Sequence, residues 1–179
     1  MLSEKNLSDQ ASAIAYIAWR QALNCAINLH AEDFRYDNDQ QRIAVITEML
    51  AFQIQHADRL CHSFLSDDER QALILELCAK VAEQVQDNLS DIAGPGNYKP
   101  PFIKLLNERF SQYAGFEYKQ QEPGFECVRF FGYNVLQVLG EDNTNRWVID
   151  QIIAIEAPDL GGQITRSVNR LFGREAQRS

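Results

Sequence analysis

The chain has 179 residues, 45% of them apolar and 23% charged, with a formal net charge of −8. That length suits a single domain with one core, the composition excludes disordered and fibrous classes, and the acidity argues against nucleic acid, whose phosphates need a concentrated basic surface. The amino-terminal segment MLSEKNLSDQ lacks the basic start and apolar run of a secretory signal. No window holds the roughly 18 apolar residues that would span a bilayer, so the expected location is cytoplasmic. Cys25, Cys61, Cys78 and Cys127 match neither a metal knuckle nor a disulfide scaffold and read as reduced core residues.

In chain order, Ile14, Ile17, Ala18, Cys25 and Leu29 recur at helical spacing and predict a first helix over 8–31, capped by Ser8. After an acidic connection in which Asp37, Asn38 and Asp39 each offer a capping oxygen, a second helix is expected over 39–65. Its core-facing stripe is Ile43, Ile46, Leu50, Ile54, Ala57, Cys61 and Phe64, placed by a rotation of about 100° per residue. Ser66-Asp67-Asp68-Glu69 has the form of a capping box, and its two further acids favour the positive end of the helix dipole. The helix it opens carries Leu73, Leu77, Val81, Val85, Leu89 and Ile92. Two long helices joined by so short a turn pack antiparallel.

Gly94-Pro95-Gly96 ends the third helix, and Pro100-Pro101 suit the first turn of a fourth, where missing N–H groups cost little. Phe102, Ile103, Leu106, Phe110 and Tyr113 form its apolar face, with Gly115 as the stop. The stretch 118–126 reads as irregular. Two last helices are expected: 125–139, closed by Gly140, and 144–156, closed by Ala157-Pro158. Their β-branched and aromatic content leaves a short strand open at 125–131 or 148–155. The fold class is therefore all-α, a compact bundle of about six helices built on two long antiparallel ones. Residues 1–159 form the bundle, and 160–179 a basic amphipathic tail that belongs to the same domain or frays.

No catalytic or metal-binding set emerges. His56 and His62 are six apart and point about 120° from each other, whereas ligand pairs use spacings of three or four. Glu-x-x-His, the nucleophile elbow and the phosphate-loop and dinucleotide glycine patterns are all absent, so no cofactor is implied. Gly94-Pro95-Gly96-Asn97 reads as a turn rather than an anion cradle. On the second helix, Glu48, Gln55, Arg59 and His62 lie opposite the apolar stripe and are expected to form a solvated face. Gln53 and His56 project into the apolar arc, where each is a satisfied core group or a pocket-lining one. Arg109 and Arg129 call for structural pairing, with Glu108 and Glu126 as the natural partners.

Arg166, Arg170, Arg174 and Arg178 recur every fourth residue, with Ile164, Val168, Leu171 and Phe172 on another face. The last twenty residues carry a formal +3 against −11 for the rest. Such asymmetry invites docking on the chain's own body or a neighbouring subunit, or an anionic partner; a frayed terminus is the third reading. The leading functional reading is a non-enzymatic helical module that binds another protein or a second copy of itself, through a bundle face or these arginines. The alternative is a small-molecule-binding or enzymatic bundle with a pocket between the second, third and fourth helices, lined by Gln53, His56, Phe102, Phe110 and Tyr113.

Overall fold

The computed structural model describes residues 3–142 and 144–174. They form a compact all-α bundle: α1 (Glu4–Ala31), α2 (Asp39–Cys61), α3 (Asp67–Ala93), α4 (Lys99–Tyr113), α5 (Phe125–Leu139), α6 (Val148–Gln151) and α7 (Ala157–Leu171). Between α4 and α5, β1 (Tyr118–Lys119) and β2 (Glu122–Pro123) pair as an antiparallel hairpin. Its turn holds Gln120 and Gln121 at φ 52° and 67°, positions where glycine or asparagine would signal such a turn. No helix among the described residues is long and apolar enough to cross a membrane.

Capping chemistry sets most boundaries. The Ser66 hydroxyl accepts from the Glu69 N–H while the Glu69 carboxylate accepts from the Ser66 N–H, the reciprocal box expected before α3. Asn38 caps α2 through the Gln41 N–H. Ser3, rather than Ser8, caps α1; Ser8 lies inside the helix, where its hydroxyl donates to Glu76 on α3. The α1 stop needs no glycine: Asp33 takes φ 66°, its N–H bonds the His30 carbonyl and the Phe34 N–H reaches back to Leu29, a Schellman ending. Gln86 clamps the turn after α3, accepting from the Tyr98 and Lys99 N–H groups and donating to the Gly96 carbonyl.

The helix expected over 125–139 is α5, and the short strand left open at 125–131 or 148–155 does not form, both stretches being helical. One expectation about the C-terminal third is overturned: Ala157-Pro158 does not stop the chain. The helix widens into a π-turn over Ile152–Glu156, where the Ala157 N–H bonds the Ile152 carbonyl, and runs on into α7. The wider turn gives the Pro158 ring room and leaves its missing N–H without a bond to break. Residues 160–171 consequently belong to a helix packed on α1 and α2, with Ile164 and Val168 fully buried. Gly173, at φ 66°, closes α7 as the Arg174 N–H bonds the Asn169 carbonyl.

Helix α2 is the axis of the bundle, in contact with α1, α3, α4, α5 and α7. From Ile43 on it is enclosed nearly all round, so of the face expected to be solvated Glu48 and Gln55 are buried, each only 3% exposed, Arg59 is half-buried and His62, just past the helix, is exposed. Asp58 near its end holds Arg70 at the start of α3 through both carboxylate oxygens, at 3.2 Å, so the chain folds back there. Phe52 stacks on Phe131 of α5 with centroids 4.5 Å apart and meets Tyr113 of α4 edge-on at 6.3 Å. This aromatic column ties α2, α4 and α5 into one core.

Candidate functional site

The polar residues of α2 address different neighbours. The carboxylate of Glu48 accepts from Arg109 Nε at 2.8 Å and from its Nη2 at 2.6 Å. Arg109 therefore pairs with an acid 61 residues away, not with its neighbour Glu108; the carboxylate bonds and charge of Glu48 raise the guanidinium pKa despite its partial burial. Arg129 does pair with Glu126, at 3.5 Å on the surface. Gln53 is fully buried and donates to the carbonyls of Ala18 and Met49, while its Oε1 has no hydrogen-bond partner among the described residues. Arg59 donates to the carbonyls of Tyr113, Ala114 and Phe116 and lies 5.0 Å over the Tyr118 ring, closing the C-terminal end of α4.

His56 is 1% exposed and lies at the floor of a cleft of about 370 Å³. Thr165 Oγ1 donates to the Gly161 carbonyl at 2.9 Å, so its free lone pair accepts from His56 Nε2, also at 2.9 Å. His56 Nδ1 is left to accept from the Tyr118 hydroxyl at 3.4 Å, and the Cys127 thiol lies beside Tyr118. Burial lowers the His56 pKa to about 4, against a smaller upward push from its bond to Gly161. Burial likewise raises the Tyr118 phenol and brings the Cys127 thiol to about 11. The whole row is neutral at pH 7. Val128, Ile153, Pro123 and Pro158 supply apolar wall, and Glu122 and Arg166 supply charge.

A second recess is a groove of about 610 Å³ between α3 and α4. Gln71, Ile74, Leu75 and Cys78 form its α3 wall, and Ile103, Leu106, Asn107 and Phe110 its α4 wall, each at the i, i+3, i+4, i+7 spacing of one helix face. Leu75 is 64% exposed and Ile103 36%. Asp58, Asp67 and Arg70 close one end, and Asp58, Arg70 and Phe110 continue into a polar cleft with Gln55, Arg59, His62 and Gln121.

The five expected pocket residues do not share a cavity. Phe102 and Tyr113 are buried in the core, Phe110 lines the groove and His56 faces the opposite side of α2, toward α7 and the hairpin. The four tail arginines also part company. Arg166 lines the His56 cleft and Arg174 stacks 4.1 Å over Phe64; Arg170 lies in the last turn of α7, and Arg178 falls outside the described residues. Sequence reasoning missed Tyr118, Thr165 and Glu122, which come to His56 from two distant elements. The one local signal was Gly161-Gly162 inside a helix, a pair that marks close approach. No group of three or more metal-ligating side chains occurs among the described residues. No family model, curated protein or solved structure matches this chain.

Proposed function

We propose that this protein is a helical protein-interaction module whose α3–α4 groove receives an amphipathic helix of a partner protein. The observation that carries the reading is the groove itself: each of two facing helices turns a mostly apolar row to it, with Leu75 and Ile103 exposed and Ile74, Cys78 and Phe110 partly so. Rows of eight residues extend about 10 Å, room for about two turns of a third helix. Leu75 and Ile103 would be its anchors, since large exposed apolar side chains on facing helices are the usual seat of helix-in-groove recognition. Asp67, 89% exposed at its side chain, stands at one end beside the acids that open α3, and the chain as a whole is acidic. The complementary partner is a helix with basic residues at the matching end. Arg166, Arg170 and Arg174 lie on α7 and just past its end, so this reading does not use them.

A photo-crosslinking residue placed at Leu75 tests it. The expected product joins position 75 to a basic amphipathic segment of another protein, and a synthetic peptide of that segment should lose about tenfold or more in affinity for Leu75→Asp and Ile103→Asp, a change of about 1.4 kcal/mol. Crosslinks only between two copies of the chain would replace a foreign partner with self-association. Unchanged peptide affinity in both variants would remove the groove from the account.

A further inference from the structure

We infer that the His56 cleft is a second, separate binding site, built for a small zwitterion with an apolar body, the chemical class of an apolar α-amino acid. The cleft lies between α2, α5, α7 and the hairpin, away from the α3–α4 groove. Its volume of about 370 Å³ falls at the small end of ligand pockets, which run from about 300 to 1,000 Å³. Aliphatic side chains and two prolines form the wall, and the floor of His56 and Thr165 is polar but uncharged, its protons already engaged within the protein.

The charges are what specify the ligand. Glu122 on β2 and Arg166 on α7 both line the cleft, yet among the described residues neither makes an ion pair, with the other or with any third group. Both residues are exposed and stand at the rim of the cleft, so a molecule that brings both a carboxylate and an ammonium to an apolar recess meets a complementary charge at each end. An anion alone would meet Arg166 but face Glu122, and a cation alone the reverse. Arg166 has the planar fork that takes a carboxylate through two bonds. Its guanidinium lies back along α7 over Gly162, where a Cβ would stand 3.4 Å from Nη1, in ordinary contact. Gly161 keeps the floor open, since even a Cβ would stand 3.8 Å from His56 Nε2 and any longer side chain would fill the space above the ring. Ile153 reaches the wall from the π-turn, and such turns recur at functional sites because they re-aim side chains along a helix.

Calorimetry on the full chain with four probes tests the inference: L-leucine, L-phenylalanine, 4-methylpentanoate, which is leucine without its ammonium, and 3-methylbutylamine, which is leucine without its carboxylate. At least one amino acid should bind, and leucine should bind about tenfold or more tighter than both analogues. Arg166→Gln should abolish the advantage of leucine over the amine, and Glu122→Gln its advantage over the carboxylate; both side chains lie outside the core, so the fold should be kept. The His56 ring proton, followed by NMR during titration, localises binding to this cleft. Failure of both amino acids to bind, equal binding of 4-methylpentanoate and leucine, or insensitivity to both substitutions would each overturn it. None of these results bears on the α3–α4 groove, whose test uses other residues and another ligand.

Discussion

Acidification from pH 7 to pH 5 should weaken the fold through one residue. His56 is neutral in the native state because burial lowers its pKa to about 4, whereas the same ring in an unfolded chain titrates near 6.5. Between those values the unfolded state binds the extra proton, so stability is full above pH 6.5 and is lost as pH falls toward 4. At pH 5 the difference amounts to about 2 kcal/mol, and below pH 4 it approaches about 3.4 kcal/mol, at 1.36 kcal/mol per pKa unit. For a domain of this size about 2 kcal/mol corresponds to a fall in Tm of roughly 4–8 °C. Tyr118 and Thr165 bond the ring on its two sides, and neither changes charge in this window, since burial raises the phenol. Urea unfolding of the wild type and of His56→Gln at pH 7 and pH 5 reads the effect directly. The variant should lose most of the pH dependence while starting from a lower stability at pH 7. If the wild type loses no more stability on acidification than the variant, the neutral buried histidine is wrong.

The Glu48–Arg109 pair supplies the next expectation. Arg109→Met leaves a carboxylate that is 3% exposed without its bidentate partner and should cost about 3–5 kcal/mol, whereas Glu48→Leu combined with Arg109→Met should recover most of that, because two matched apolar groups need no desolvation; a single-variant cost below about 1 kcal/mol in urea unfolding would show the pair to be solvated. At the end of α1, Asp33 holds φ 66°, so Asp33→Gly should stabilise by up to about 1 kcal/mol and Asp33→Val destabilise by about as much. Thermal unfolding of the two variants, expected to shift in opposite directions, checks the helix ending.

Local chemistry made the helical bundle legible. The Ser66 box, the glycines at 94 and 140, and the paired prolines in the first turn of α4 each act within a few residues, so their spacing alone locates a boundary, and each boundary lies where that spacing puts it. The end of α1 at Ala31 lies where it was expected although Asp33, not a glycine, closes it; the stop at Ala157-Pro158 was misread, because Pro158 passes through the last helix where a π-turn makes room for it. The larger error concerned α2. A wheel assigns one face to the core only when a helix has one neighbour side, and Glu48 and Gln55 looked solvated on that assumption, whereas His62, past the end of α2, is exposed as expected. A helix surrounded by five others has no such face, and nothing in its own sequence announces that the partner of Glu48 lies 61 residues on.

The polarity of α2 is better understood as a set of addresses than as an amphipathic pattern. Glu48 can be satisfied only where α4 brings Arg109, Gln53 bonds the Ala18 carbonyl of α1, Asp58 holds the first turn of α3, and His56 requires Thr165 of α7 on one side and the hairpin's Tyr118 on the other. Apolar contacts at the same positions would tolerate a helix that slid or rotated by a residue; a buried polar group left without its partner costs about 1–3 kcal/mol, more when charged. Sliding α4 or α7 against α2 would therefore break bonds that no other register remakes, which selects one arrangement out of the many that would bury similar area. Both candidate surfaces inherit that precision. The groove ends on Asp58 and the cleft is floored by His56, two residues apart on the most constrained helix in the bundle, so each presents a fixed shape to whatever it meets.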